Sequence, residues 1–400
     1  MMTAAKSKLD IIFTPPQGQF TLRRYGHPKS QLRAWNGADH YLLERLATEL
    51  DRFTPRKTLI INDDFGALTI PLLQLKPDII INSAHGQRAL QKNLSGNSLN
   101  DSHIRVCTQY EFEANLTFDK YDLVVMKLPK SLAALEEQLR LIHQRLHTST
   151  KLFIGSMAKH IQQSVLNTIR NQFGSVDCSL AKRRARIISV KISNLPATVP
   201  NLRTRACVVP EAVTGLQQPL TLTSFPGTFG HGKLDRGTQA LLEVLELPSR
   251  TTSICDYGSG TGVLGIVAGL RHPDARLLFV DDAAAAVQST QWNVSRLLDP
   301  NRDIHILHRD TLDEIPSNSQ HVILSNPPFH DSNARTEHIA HRMFHDAFRV
   351  LEPGGELWVV ANRHLRYAAI LRKLFGRCEH RGKHPKFIIL KASKTNENAS

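Results

Sequence analysis

What most constrains this chain is a rhythm that plays twice. Short apolar runs alternate with stretches of helical periodicity, first over residues 58–192 and again over residues 253–391. In the first pass, residues 58–61, 78–81, 121–126, 152–156 and 187–192 read as strands, and residues 41–50, 67–75, 87–94, 132–146 and 161–173 as helices. In the second, residues 253–256, 276–280, 304–307, 321–324, 356–361 and 387–391 are the strands, with helical stretches between them. Strands this short, each followed by a helix, predict an open parallel sheet whose crossover helices cover both faces.

The two passes superimpose at a shift of about 200 residues, the scale of a duplicated domain rather than of a solenoid. Asp39-His40-Tyr41 is echoed by the segment that opens at Asp235, and Ile61-Asn62-Asp63-Asp64-Phe65-Gly66 by Cys255-Asp256-Tyr257-Gly258-Ser259-Gly260. Asn82 is set against Asp281, and Lys127-Leu128-Pro129-Lys130 against Asn326-Pro327-Pro328-Phe329. The expected organisation is two tandem α/β domains, 1–195 and 196–400, joined through the proline-bearing stretch 194–227. The glycine-rich turn and the Asn-Pro-Pro turn occur only in the second copy, so the first is read as degenerate and the second as catalytic.

With 400 residues, 41% hydrophobic and 22% charged, the chain has material for two ordinary cores. No apolar run is long enough to span a membrane, and residues 1–18 lack the apolar core of a signal peptide. Five scattered cysteines without a CxxC spacing predict neither a zinc site nor a disulfide frame, and a reducing cytoplasm fits them. A formal net charge of +14 calls for a polyanionic partner. The basic residues gather at Lys182-Arg183-Arg184-Ala185-Arg186 and near the end of the chain, where Arg363 and Arg366 lead a further run. These are candidates for binding RNA phosphates, against the plainer alternative of a solvated charged face. His338, His341 and His345 stand at helical spacing but lack a metal-binding carboxylate pattern, so they are read as an ordinary helix face.

Chemistry is concentrated in two stretches. Asp256-x-Gly258-x-Gly260-x-Gly262 follows a strand and opens a helix, and Asp281 ends the next strand. Glycines let a ligand lie against the backbone, and a carboxylate at that strand end is placed to hold both hydroxyls of a ribose. NAD competes on glycine spacing alone, since Gly260-x-Gly262-x-x-Gly265 matches the dinucleotide fingerprint. Asp256, however, would repel a pyrophosphate and attract the ammonium of a methionine. The second stretch is Asn326-Pro327-Pro328-Phe329, after the strand 321–324. Prolines end the ladder there, and the Asn326 side-chain carbonyl with the Pro327 carbonyl can converge on one exocyclic amine. Phe329 offers a stacking face for a planar base. Amine alkylation uses such a turn and hydride transfer does not, which favours S-adenosyl-L-methionine as cofactor.

Asp256-Tyr-Gly-Ser-Gly-Thr-Gly, Asp281, Asp310 and Asn326-Pro-Pro-Phe329, in this order, resemble the class I S-adenosylmethionine-dependent methyltransferases, with a Rossmann-like fold. Ala34-Trp35-Asn36-Gly37-Ala38-Asp39, the run 62–68, Lys127-Leu128-Pro129-Lys130 and Val360-Ala361-Asn362-Arg363-His364-Leu365 narrow the likeness. Over nearly the whole chain they resemble the bacterial ribosomal RNA large subunit methyltransferase G family, which modifies guanine N2 in 23S rRNA. The sister 16S rRNA family shares the architecture, and a non-enzymatic role in RNA binding or ribosome assembly is the alternative from another class. The resemblance implies ribosomal RNA, 23S foremost, as partner, with neither membrane nor metal involved. It implies catalytic roles for Asn326, Pro327 and Phe329, and cofactor contacts from Asp256, Gly258, Gly260, Gly262, Asp281 and Asp310. Phe229 joins them from a segment, Thr228-Phe229-Gly230-His231, that departs from the family's usual Phe-Ser-Arg.

Overall fold

A computed structural model describes residues 11–25, 32–115, 120–193, 195, 204–328 and 334–395, with the backbone alone for 334–337. The chain divides into two compact units, Met1–Leu202 and Arg203–Ser400.

In the first unit the strands β1 (Thr58–Ile61), β2 (Asp78–Ile80), β3 (Arg105–Cys107), β4 (Tyr121–Lys127), β5 (Leu146–Met157), β6 (Gly174–Cys178) and β7 (Ala185–Ile192) form one sheet, in the order β3-β2-β1-β4-β5-β7-β6. The first five strands in that order run parallel, and β7 and β6 close the sheet antiparallel. Its helices are α1 (Gly37–Leu50), α2 (Ala84–Gly96), α3 (Gln109–Ala114), α4 (Leu132–His143) and α5 (Gln163–Phe173). In the second unit β8 (Ser253–Tyr257), β9 (Arg276–Asp281), β10 (Ile304–His308), β11 (Gln320–Ser325), β12 (Leu351–Asn362), β13 (Gly376–Arg381) and β14 (Phe387–Lys394) repeat the pattern as β10-β9-β8-β11-β12-β14-β13. Here the helices are α6 (Arg236–Leu242), α7 (Val263–Arg271), α8 (Ala284–Leu297), α9 (Ala334–Val350) and α10 (Tyr367–Phe375). The strand order reverses at β8, which opens a crevice at the carboxyl ends of β8 and β11.

Each sheet is buried on both faces by alternate residues of the same strands. Ile254, Val322, Leu324, Trp358 and Val360 face one core, and Cys255, Tyr257, Ile323, Leu357 and Val359 the other. Such strands read as continuous apolar runs, which is why they were legible in the sequence.

Three expectations need correction. Residues 67–75 form turns and a single 3₁₀ turn (Leu73–Leu75) instead of a helix. Pro71 lacks the N–H that a helix there needs, and the buried Asp63 carboxylate takes the Leu68 and Thr69 amides at 2.9 and 2.7 Å. Strand pairing also moves the repeat. Asn62 N and Gly258 N donate to the carbonyls of Ile80 and Val280 respectively, and both residues have positive φ, 67° and 83°. Asn62 is therefore the counterpart of Gly258, and Ile60 of Asp256. By the same register Ile81, not Asn82, occupies the place of Asp281, since the helix caps Ser83 and Ala283 follow in step. The sequence comparison had matched polar character where the ladder matches strand position.

Candidate active site

Asp256 is the penultimate residue of β8 and is buried under the turn that follows. Its side chain is 1% exposed. One oxygen accepts from Gly265 N at 2.9 Å, and the other, Oδ1, is buried and meets no hydrogen-bond partner among the described residues. Burial lifts this carboxyl to about 8, with the Gly265 N–H pulling it down and Asp281 adding to the rise. Gly265 itself cannot carry a side chain, because a Cβ would lie 2.3 Å from the Phe279 ring; that close approach seats α7 on β9.

The turn Gly258-Ser259-Gly260-Thr261-Gly262 holds its three glycines at φ of 83°, 59° and 81°. A Cβ on Gly260 would meet nothing within 4 Å, so the turn faces open space there. Asp281 reaches the same turn: its oxygens accept from Gly260 N at 2.9 Å and Ala283 N at 2.8 Å. Burial raises its carboxyl to about 6 against those two amides. Glycine turn and strand-end carboxylate, remote in sequence, thus share one edge, with lone pairs left for a diol.

Asp310 lies beyond β10. Its carboxylate is paired with Arg342 of α9 at 3.1 Å, and its carbonyl accepts from Arg342 at 2.9 Å and Tyr257 Oη at 3.3 Å. Tyr257 also donates to Asp346 Oδ2 at 2.8 Å. Tyr257 is thereby built into the core as a clamp on this loop. Phe229 is 53% exposed, on a loop anchored to α8 by Thr228 Oγ1 donating to Ala285 O at 2.9 Å.

Asn326 follows β11 directly. Its amide nitrogen donates to Asp235 Oδ2 at 2.9 Å and to Thr238 Oγ1 at 2.8 Å. Its oxygen, Oδ1, is buried and meets no hydrogen-bond partner among the described residues. Pro327 is buried and Pro328 exposed, while Phe329 lies outside the described residues. Sequence reasoning placed Asp235 at a helix start but missed Asp235 and Thr238 as neighbours of Asn326. The Asp235-x-x-Thr238 spacing was the available signal, since it is a capping pattern: Thr238 N donates to Asp235 Oδ2 at 2.9 Å.

The basic candidates separate. Lys182 and Arg183 are paired with Glu44 at 2.7 and 3.2 Å, and Arg186 donates to Ser179 O at 2.7 Å. Arg184 is exposed and its side chain has no partner among the described residues. Arg183 and Arg184 sit at φ of 53° and 60° in a two-residue hairpin turn, a conformation favouring Asn-Gly. Arg363 donates to His384 O at 3.0 and 2.7 Å, and Arg366 is exposed. Both follow β12, at the sheet edge that carries Asn326. Among the described residues no group of His, Cys, Asp and Glu is placed to hold a metal, and no helix is long and apolar enough to cross a membrane. A cavity of about 310 Å³ opens at the opposite edge, beside Arg276, Asp303 and Gln320, away from these residues.

Sheet order, glycine turn and Asn-Pro-Pro turn together define a methyltransferase of the Rossmann-like class, and the second unit matches the methyltransferase small domain over residues 219–391. The first matches the RLMG N-terminal domain over residues 11–194. The ribosomal RNA large subunit methyltransferase G of Shewanella amazonensis is 38% identical over 91% of this chain and 93% of its own. That of Streptomyces griseus is 35% identical over 96% and 99%. The chain belongs to the ribosomal RNA large subunit methyltransferase G family. Among solved structures, the T. thermophilus 16S rRNA N2 methyltransferase RsmC, in complex with AdoMet and guanosine, shares the fold. The TM-score is 0.73 at 22% identity, covering 96% of this chain and 97% of that one.

Proposed function

We propose that this chain methylates the exocyclic N2 amine of a guanine in 23S ribosomal RNA, using S-adenosylmethionine, and that the second unit performs the chemistry. The observation that carries this reading is Asn326 Oδ1, a buried acceptor that meets no hydrogen-bond partner among the described residues, at the sheet edge that carries the open glycine turn. The bound cofactor supplies an electrophilic methyl group on a sulfonium. The Gly258–Gly262 turn and the Asp281 carboxylate hold its nucleoside, and Asp256 provides negative charge toward its ammonium. Asp310 steadies the loop beside the adenine amine, with Phe229 flanking. Asn326 Oδ1 and the Pro327 carbonyl accept the two N–H bonds of the target amine and turn its lone pair toward the methyl group. Phe329 stacks on a base taken out of its RNA context. Positioning and desolvation carry the rate, and the amine releases its proton to water after alkylation.

The first unit is the degenerate copy and serves as an RNA platform. Arg184 and Arg366 are the free guanidiniums for phosphates, with Lys182, Arg183, Arg186 and Arg363 shaping the surfaces around them. An rRNA substrate places this work in the cytoplasm. The test is transfer of tritiated methyl groups to 23S and 16S rRNA lacking the modification, followed by nucleoside analysis. N2-methylguanosine in 23S rRNA alone is the expected result. Label in 16S rRNA alone reassigns the substrate to the sister family's, and label in neither removes the rRNA reading.

A further inference from the structure

We propose that Asp235 and Thr238 are positioning residues that give Asn326 its polarity, making it an obligate acceptor toward the substrate amine. The inference rests on the reading of Asn326 as the amine-binding residue. An asparagine amide has two ends of nearly equal shape and opposite hydrogen-bond sense, so it binds an amine only if something decides which end points outward. Here the decision is electrostatic. An ionised carboxylate accepts and never donates, and Asp235 Oδ2 stands 2.9 Å from the Asn326 nitrogen. Rotating the amide would bring Asn326 Oδ1 against that oxygen. Thr238 Oγ1, at 2.8 Å, takes the second proton of the same nitrogen. With both protons engaged, the donor end is used up, and Oδ1 remains for a ligand.

Asp235 is held for this task. It caps α6, and the same Oδ2 that meets Asn326 accepts from Thr238 N at 2.9 Å. The helix start therefore fixes both partners of Asn326 at once. The first unit supplies independent support. There Asp39, in the first turn of α1, holds the residue at the place of Asn326, and that residue is Lys127, with Nζ 2.7 Å from Asp39 Oδ1. Lys127 can only donate. In both units an acid in the first turn or cap of a helix takes a donor from the residue at the carboxyl end of the fourth sheet strand. Only in the second does that residue have an acceptor left over.

Asp235→Asn tests this, because asparagine keeps a capping oxygen for α6 and adds an amide that can donate to Asn326 Oδ1. We expect kcat for methyl transfer to fall about ten- to a hundredfold, with KM for RNA and Kd for cofactor within about twofold. Thr238→Val should also lose turnover, and Thr238→Ser, which keeps the hydroxyl, should retain most of it. A second measurement reads the amide without any turnover: hydrogen exchange of the Asn326 carboxamide protons by NMR, assigned through their disappearance in Asn326→Ser. They should be protected in the unsubstituted protein and exchange at least about tenfold faster in Asp235→Asn. Unchanged kcat and unchanged exchange in Asp235→Asn would overturn the inference, as would a loss confined to cofactor affinity. If the unsubstituted protein labels no rRNA, the substrate reading fails, while the exchange measurement still decides this one.

Discussion

The two units share a strand order and differ at most of the positions proposed to meet a ligand in the second. Where α7 rises from three glycines, the first unit has turns around Pro71 and Asn62 in place of Gly258. Ile81, buried and apolar, occupies the position of Asp281. Lys127 occupies that of Asn326, and its ammonium lies 2.7 Å from Asp39 and 4.0 Å from Asp63. Burial works against that charge, but Asp39 and Asp63 outweigh it and hold Lys127 up to about 12. Asn62 and Gln138 exchange two hydrogen bonds of 2.8 Å alongside. The comparison teaches that the crevice at a sheet's switch point can be kept open for a ligand or closed by an internal ion pair. In the second unit Asp256 Oδ1 and Asn326 Oδ1 meet no hydrogen-bond partner among the described residues, whereas Lys127, at the place of Asn326, is ion-paired.

Substitutions can break or sharpen this contrast. The largest effect belongs to Asn326→Ala, which should lower kcat about a hundred- to a thousandfold while RNA and cofactor still bind. Retained turnover in a single-turnover assay would end the assignment. Lys127→Ala should do the reverse, destabilising the protein by about 3–5 kcal/mol because Asp39 and Asp63 are left buried and unpaired. Its activity per folded molecule should stay unchanged, and denaturant titration beside a rate assay separates the two. Asp281→Ala should weaken cofactor binding about ten- to a hundredfold, as loss of hydrogen bonds to a charged group does. Calorimetry on the unsubstituted protein should find one cofactor per chain, and two would restore function to the first unit.

A pH effect comes next in size. Asp256 titrates near 8 when folded against an ordinary 3.8, so without ligand its contribution favours folding at low pH and declines as pH climbs toward 8. Binding an ammonium beside it requires the carboxylate, so cofactor affinity should rise with pH up to about 8, by at most about tenfold per unit. Asp256→Asn should flatten that profile. The smallest effect is at the hairpin turn. Arg184→Gly should relieve a left-handed residue, stabilising by about 1 kcal/mol, and lower the salt slope of RNA binding by about one. An unchanged slope would remove Arg184 from the RNA surface.

Much of this was legible because buried parallel strands advertise themselves. Thr58–Ile61 and the Asn326 turn could be placed to within a residue or two. Periodicity put the start of α1 at residue 41, whereas the helix begins at Gly37, where Asn36 and Asp39 form a capping box. The strand Arg105–Cys107 and the helix Gln109–Ala114 escaped notice, since each is too short to show a period. Asp310 was named from the family resemblance, and its pairing with Arg342, a partner from a distant helix, was not legible in the sequence.

By itself, then, the sequence determined the alternation of strands and helices, the duplication, the glycine turn and which copy retained it. Those are properties of local spacing and of side-chain type. Which end of Asn326 faces outward, whether Lys127 is free or paired, and which residue stands opposite Asp281 were decided only in the folded chain. Hydrogen-bond polarity and ladder register depend on groups brought together from far apart, and no local pattern carries them.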